Sequence, residues 1–442
     1  MSTHKQGNDV VTLGCRLNTL ESEVMRDEMN KAGVNDAVII NTCAVTSEAE
    51  RQARQTIRRI KRERPDARII VTGCAAQLDP DKFAKMKEVE RVVGNEEKLH
   101  GETLLGLGQN EATSIVVSDI NEVRETAGHL VSGLDGRTRA FVMIQQGCDN
   151  DCTFCIIPAA RGPNRSVPLD QIVEQVKKLV DTGHLEVVLT GVDIASYGSD
   201  IGLCSDTGTG LTDVIRAILD ATPGLARIRL SSLDPARLDN AFFELYAREP
   251  RLMPHLHLSL QSADTMVLKH MKRRHNVFDI MALVERARLV RPDTVFGADL
   301  IAGFPTETEE QFNTTVANVM TMGLQYLHVF PYSPRPGTAA ARMPLLHGSV
   351  AKARAKLLRQ TGEPILNAHL ESLCNTEQVI LVEKPDFGRT ESFAPVRLDG
   401  KQSPGSLVTV QLCGHKDGEL FTADTQQHDT SQAKHSWVGS ID

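Results

Sequence analysis

The sequence predicts an α/β protein in three parts: a parallel α/β layer, an open barrel of six βα units, and a small antiparallel β-barrel. Three observations predict it. Short apolar runs alternate with helical stretches over the first 95 residues, and from residue 139 the same alternation repeats six times. After about residue 370 the segments become short, β-rich and joined by Gly, Pro and Asp turns. The parts are placed at residues 1–120, 136–368 and 369–442, with a linker over 121–135.

The elements follow in order. VVTL (10–13), AVIIN (37–41) and RIIVT (68–72) read as buried strands. Between the second and third lies TSEAERQARQTIRRIKRER, a helix opened by a Ser47–Glu50 capping box and stopped by Pro65. Residues 96–135 lose periodicity and carry Gly-containing polar stretches. The central strands are AFVMIQ (140–145), EVVLT (186–190), RIRLS (227–231), HLHLSL (255–260), VFGADLIAG (295–303) and YLHVF (326–330). Helices over 168–182, 210–221, 239–248, 277–290 and 307–322 separate or follow them, the last opened by Thr306 and Glu309. Six units fall short of the eight that close a (βα)8 barrel, so this one stays open. VILVEK, APVRLDG, SLVTVQLCG and GELFTA supply the final strands, and the polar tail from Asp424 is expected to be loose.

Composition excludes several classes of function. With 24% charged and 41% hydrophobic residues the chain is no disordered polymer, and no apolar run approaches the roughly 18 residues that cross a bilayer. The start, MSTHKQGNDV, has no signal-peptide hydrophobic region, so a cytoplasmic address is expected. A net charge of −8 means that any nucleic-acid site is a local patch. One Trp, Trp437, and 4% aromatics leave no broad stacking platform.

Nine cysteines say more. The number is odd, and a cytoplasmic chain keeps its thiols reduced, so metal or redox chemistry is the first reading. Cys148-x3-Cys152-x2-Cys155 follows directly on the first barrel strand. Three thiolates on one tight loop can hold three irons of a 4Fe–4S cube and leave the fourth iron open for chemistry. A closed structural zinc site wants four ligands, and no fourth Cys or His is nearby. Cys15, Cys43 and Cys74 each sit just past one of the first three strands, so a parallel sheet would bring them to one edge. The alternative there is three small buried residues. Cys204, Cys374 and Cys413 lack partners at ligand spacing and read as structural or surface thiols.

On GCDNDCTFCIIP at the end of the first barrel strand, the chain resembles the radical S-adenosylmethionine (SAM) superfamily. The resemblance implies that SAM chelates the open iron through its amino and carboxylate groups, and that an electron from the cluster splits it to methionine and a 5′-deoxyadenosyl radical. It places Phe154 near the adenine, and it puts Asp193 of LTGVD, Ser259 and Gln261 of SLQS, and Asp299 and Gly303 of GADLIAGFPTETEE at strand ends where the family contacts SAM. Adding TLGCRLN, NTCAVTSEAER, HLHLSLQSAD and HVFPYSPRPGTAA, in order over residues 10 to 422, the chain is similar to the methylthiotransferases. That likeness implies a Rossmann-like first domain in which Cys15, Cys43 and Cys74 hold a second 4Fe–4S cluster carrying the incoming sulfur. It also implies a C-terminal TRAM-like RNA-binding barrel. One SAM would methylate the sulfur and another would generate the radical. The CRLN and NTCAVTSEAER strings resemble the bacterial branch that acts on carbon 2 of N6-threonylcarbamoyladenosine at tRNA position 37. Departures are Ala159, where the family often has an aromatic, Thr306 in place of a frequent Gly, and an acidic, polar stretch at PDFGRTES.

The implied partners are a tRNA anticodon stem-loop, an electron donor and a sulfur donor, with no membrane. Two basic segments could meet phosphates. Arg51 to Arg64 holds seven Lys/Arg against one Glu and includes Arg58 and Arg59, and LKHMKRRH includes Lys272, Arg273 and Arg274. The rival readings are a methylthiotransferase acting on isopentenyladenosine tRNA or on a ribosomal protein side chain, and a zinc-holding RNA adaptor.

Overall fold

The computed structural model describes residues 8–33, 36–106, 115–124, 138–202 and 210–422. Cys204, Trp437, the tail from Asp424 and most of the 121–135 linker lie outside the described residues.

The first part is a five-stranded parallel sheet in sequential order, built from β1 (Asp9–Thr12), β2 (Ala37–Thr42), β3 (Arg68–Gly73), β4 (Arg91–Val93) and β5 (Ile115–Val116). Its helices are α1 (Arg16–Ala32), α2 (Ser47–Glu63), α3 (Cys74–Leu78), α4 (Pro80–Ala84) and α5 (Gly101–Leu105). Sequence alternation explains the layering. Val38, Ile40, Ile69 and Val71 pack with Ile57 and Ile60 of α2, whereas Ile39 and Ile70 face Met25 and Met29 of α1. The three expected strands are present, and β4 and β5, too short for a periodic signal, complete the sheet. α2 is capped by Thr46, whose side chain accepts from the Ala49 N–H, rather than by Ser47 and Glu50. Glu50 is drawn away by Lys82 and Arg335.

The second part carries β6 (Arg139–Met143), β7 (Gln145–Gln146), β8 (Arg165–Ser166), β9 (Glu186–Thr190), β10 (Arg227–Leu230), β11 (His255–Gln261), β12 (Val295–Ala302) and β13 (Tyr326–Pro331). Strands β6, β9 and β10 form one parallel sheet and β11, β12 and β13 another, joined by bridges at Ile228–Leu252 and Leu233–Leu258. The six long strands therefore make the expected open partial barrel. Its helices are α6 (Ile157–Arg161), α7 (Leu169–Asp181), α8 (Gly210–Ala221), α9 (Asn240–Arg248), α10 (Thr265–His270), α11 (Val277–Val290), α12 (Glu309–Met322) and α13 (Gly348–Leu373). Leu189, Leu230, Leu258 and Leu300 face the helices in one core. On the lumen side Phe141 and Val188 meet Leu20 and Val24 of α1, so the first part closes the barrel's open flank. The capping box of α12 is Thr308 with Gln311, not Thr306 with Glu309. Thr306 occupies the turn before it at φ 69°, left-handed backbone that glycine adopts more readily, and Glu307 is buried on Arg354.

The third part has β14 (Glu377–Lys384), β15 (Phe387–Arg389), β16 (Pro395–Arg397), β17 (Leu407–Gln411), β18 (Gly414–Lys416) and β19 (Glu419–Phe421), in the order β17-β14-β15-β16-β19-β18. Every neighbouring pair is antiparallel except β16 with β19, which run parallel. The connection from 398 to 418 is long enough for that crossover. Ile380, Val382, Val396 and Leu420 form its core with Leu370 of α13.

Candidate active site

Two cysteine trios converge where the first part meets the barrel. Cys15 precedes α1, Cys43 follows β2 and Cys74 opens α3, all at the carboxyl ends of parallel strands. Cys15 is exposed; Cys43 and Cys74 are buried. Gly14 and Gly73 have positive φ, and a Cβ on Gly14 would lie 2.8 Å from the Cβ of Cys43, so only glycine lets these loops close. Burial, with Cys15 and Cys74 nearby, pushes the Cys43 thiol up to about 12.

The second trio lies between β7 and β8. Gly147 at φ 68° turns the chain out of β7, and a Cβ there would sit 1.7 Å from the carbonyl oxygen of Pro163. The Cys148 N–H donates to the Gly162 carbonyl at 3.0 Å, Thr153 ties the loop to Met271 and His270, and Ala340 closes on the Thr153 carbonyl. Backbone amides of Asn150 and Ile157 approach the sulfurs of Cys148 and Cys155 at 3.5 and 3.4 Å. Burial raises the Cys148 thiol to about 11 and Cys155 to about 12. These thiols hold their protons until a metal displaces them. A cavity of about 820 Å³ opens onto this loop, with Asn121 and Arg124 on its far wall.

The donor sets fit iron–sulfur cubes better than single ions. Among the described residues, the one trio with metal-ligand atoms all within 4.8 Å is His257, Asp299 and His328; neither cysteine trio is drawn so close. A four-iron cube spreads its thiolates wider than one zinc ion does. Each trio also meets a buried guanidinium. Nη1 of Arg273 lies 3.3 Å from Sγ of Cys152, and Nε of Arg161 lies 3.2 Å from Sγ of Cys74.

Arg161 is the last residue of α6, a helix of about 7.5 Å that starts two residues after Cys155. It donates to both oxygens of Glu21 at 2.8 and 3.1 Å, to Gln146 at 2.8 Å and to Asn18 at 2.7 Å. Lys98 completes the group 2.6 Å from Glu21. All three charged side chains are at most 3% exposed. Against the cost of burial, Arg161 and Lys98 hold the Glu21 carboxyl down to about 2. Burial would lower Arg161, but Cys74 and Glu21 raise it further, so it stays charged. Sequence reading did not single out Arg161, Glu21 or Lys98, because their partners lie 77 to 140 residues away.

Three of the six expected SAM positions, Phe154, Asp193 and Ser259, connect with the loop of the second trio. Phe154 packs in one cluster with Met271, Ala340 and Phe304, the residue after Gly303. Asp193 accepts from Nδ2 of Asn150 at 2.9 Å and from Ser196 at 2.7 Å, and burial raises its carboxyl. The Ser259 carbonyl accepts from Arg273 at 2.9 Å. Gly303, at φ 73°, has Ala351 so close that a Cβ would lie 2.5 Å from it. Gln261 ends β11 at φ 70°, a strained conformation for a non-glycine residue. Asp299 lies deeper in the lumen, 3.0 Å from His257 and 3.4 Å from His328, which hold its carboxyl well below the usual range despite burial.

The basic residues divide. Arg58 and Arg59 are exposed on α2, and Lys272 is 61% exposed. Arg273 is turned inward and only 7% exposed, because it spans Cys152, Ser259 and Asp234. Arg274 pairs with Asp234 at 2.9 Å. Burial opposes it, yet His275, Arg273 and Arg274 hold the Asp234 carboxyl well below its ordinary value. The sequence-level grouping of 272–274 as one RNA patch is thus corrected for Arg273: its guanidinium serves the cluster loop.

Comparison with known proteins agrees with this geometry. Residues 142–319 match the radical SAM superfamily, and residues 8–94 match a family described as uncharacterized protein family UPF0004. The chain is 48% identical over 412 residues to threonylcarbamoyladenosine tRNA methylthiotransferase MtaB of Rickettsia prowazekii (strain Madrid E), covering 93% of this chain and 96% of the relative. The protein of the same description from Aquifex aeolicus (strain VF5) is 36% identical over 91% of this chain and 98% of its own. A tRNA-2-methylthio-N(6)-dimethylallyladenosine synthase of Paracoccus denitrificans (strain Pd 1222) is 32% identical over 93% and 92%. Among solved structures, the radical S-adenosylmethionine methyltransferase TsrM from Kitasatospora setae, with cobalamin and a 4Fe–4S cluster bound, superposes with a TM-score of 0.56 at 16% identity over 76% of each chain, a likeness of fold. With a cysteine trio on the radical SAM loop, a second trio in the preceding domain and relatives that match nearly end to end, this chain belongs to the radical SAM tRNA methylthiotransferases.

Proposed function

We propose that this enzyme inserts a methylthio group at carbon 2 of N6-threonylcarbamoyladenosine at position 37 of tRNA. The observation that carries the reading is the 48% identity, over 93% of the chain, to a relative described by that substrate, together with two cysteine trios that each meet a buried guanidinium. Carbon 2 of adenine bears an unactivated C–H bond, against which acid–base groups have little effect, so the difficult step belongs to cofactors. When bound, the clusters and SAM supply a carbon radical at the second trio and a sulfur at the first.

The chain's own residues hold and orient. Cys148, Cys152 and Cys155 would ligate the SAM-binding cube, and Cys15, Cys43 and Cys74 the sulfur-carrying one. Phe154, Asp193, Ser259, Gln261 and Gly303 would position SAM at the first of these. Arg273 and Arg161 each place a positive charge against a cysteine sulfur, which would offset thiolate charge and tune the potential of a cluster bound there. The Glu21–Arg161–Lys98 group fixes the two loops relative to each other, and reaction between two held groups depends on that distance.

RNA would reach the site along Arg58, Arg59 and Lys272 on the surface, with the C-terminal module, read as TRAM-like over 369–442, as a further contact. The first domain would span 1–120 and the barrel 136–368. A cytoplasmic site of action, an electron donor and a sulfur donor complete the reading. It is tested by nucleoside mass spectrometry of tRNA from cells with and without the gene. Loss of 2-methylthio-N6-threonylcarbamoyladenosine on deletion is expected; an unchanged profile removes the reading.

A further inference from the structure

One guanidinium in the barrel lumen has no hydrogen-bond or ion-pair partner among the described residues. α1 begins at Arg16, and Leu20 and Val24, four and eight positions on, pack against Phe141 and Val188 of the lumen wall. These three positions share a helix face, so Arg16 is turned into the barrel. It is partly exposed, and its neighbouring charges there are Arg139, Arg229, Arg389 and Asp299. The three other arginines are engaged: Arg139 and Arg389 with Glu383, Arg229 with Glu186. Asp299 already pairs with His257 and His328. Just past β10, Ser231 is buried with its hydroxyl unpartnered among the described residues, and both ring nitrogens of the buried His255 lack partners there as well.

A cation without a partner, set among other cations, is a site for an anion. The threonylcarbamoyl group ends in a carboxylate, which pairs with a guanidinium through two parallel hydrogen bonds. A dimethylallyl group on the same nitrogen carries no charge and would leave Arg16 without a counter-charge. Entry to this region is open at His328, which is 51% exposed. The trio of His257, Asp299 and His328 is close enough for one metal ion, but its one carboxylate, Asp299, also faces the Arg16 guanidinium.

We propose that Arg16 receives the carboxylate of the threonylcarbamoyl group and so selects this substrate over adenosines whose N6 group is uncharged. The inference rests on the function proposed above. Because Arg16 follows Cys15 directly, seating the carboxylate there also sets the base beside the first cysteine trio.

The test uses the cluster-loaded enzyme and two anticodon stem-loop RNAs, one carrying threonylcarbamoyladenosine and one its methyl ester. Competition in one tube reads the ratio of their kcat/KM values, and fluorescence anisotropy reads the ratio of their dissociation constants without turnover. Wild-type enzyme is expected to favour the acid by about ten- to a hundredfold in both, the range of a charged hydrogen-bonded pair. Arg16→Gln, scored on preparations with full iron content, is expected to bring both ratios near one, and Arg16→Lys to restore part of the preference. Equal handling of acid and ester by wild-type enzyme overturns the inference, and so does an Arg16→Gln variant that keeps the wild-type ratio. If neither RNA is modified, the proposed function fails, while the binding ratio still decides the role of Arg16.

Discussion

Replacing Arg161 with Gln should loosen both the fold and the first cysteine trio. The guanidinium makes two bonds to Glu21, one each to Gln146 and Asn18, and one to the sulfur of Cys74. Its removal leaves Glu21, 2% exposed, with Lys98 and Gln146 as remaining partners. Breaking a buried ion pair costs about 3–5 kcal/mol, and the surviving Lys98 contact places this case near the lower end. The carboxyl gives the same scale: held at about 2 against 4.5, it carries about 3 kcal/mol of stability. Because the folded value is the lower one, that contribution is full above about pH 4.5 and is lost as pH falls toward 2. The assay is denaturant unfolding of wild-type and Arg161→Gln protein at pH 7 and again near pH 3, with iron measured on the same preparations. A loss of about 3 kcal/mol at pH 7 that shrinks at pH 3, with iron lost from the first site, is expected. A variant within about 0.5 kcal/mol of wild type, with full iron, would refute the coupling.

Alanine at Cys148, Cys152 and Cys155 together should abolish SAM cleavage, measured as 5′-deoxyadenosine, and leave about four irons. Alanine at Cys15, Cys43 and Cys74 should retain SAM cleavage and stop sulfur insertion; catalytic modification by that variant would defeat the sulfur-carrier role. Gly147→Ala drives a Cβ into the Pro163 carbonyl oxygen, so the second trio should lose its cube and iron should fall by about half. Neutralising Arg58, Arg59 and Lys272 should weaken tRNA binding and lower its log–log salt slope by about 2–3, whereas Arg273→Gln should lower iron with little change in that slope. An unchanged slope in the triple variant would remove those three residues from the RNA surface.

The six barrel strands and five of the helices between them were legible in the sequence because each pairs a strong period with turn residues at its ends. Both cysteine trios were legible for a different reason: one is a compact motif, and the other recurs at one place after three successive strands. What could not be read was set by long-range partners. Glu50 fits a capping box locally but is claimed by Lys82 and Arg335, so Thr46 caps the helix instead. Arg273 sits in a run that reads as a basic surface, yet its guanidinium lies between Cys152 and Asp234. Arg161 carries no local pattern at all, since its meaning comes from Glu21 and Cys74, 140 and 87 residues away. The α1 helix carries no clear apolar period because its buried residues include the polar Asn18, Thr19, Glu21 and Ser22 among the apolar ones.

The central claim, two cubes held by separate thiolate trios, is tested most directly by iron and sulfide analysis with Mössbauer spectroscopy on protein purified without oxygen. About eight irons per chain in two distinguishable cubes, each with one iron lacking a cysteine ligand, is the expected result. A single cube, or zinc in place of iron, would contradict it.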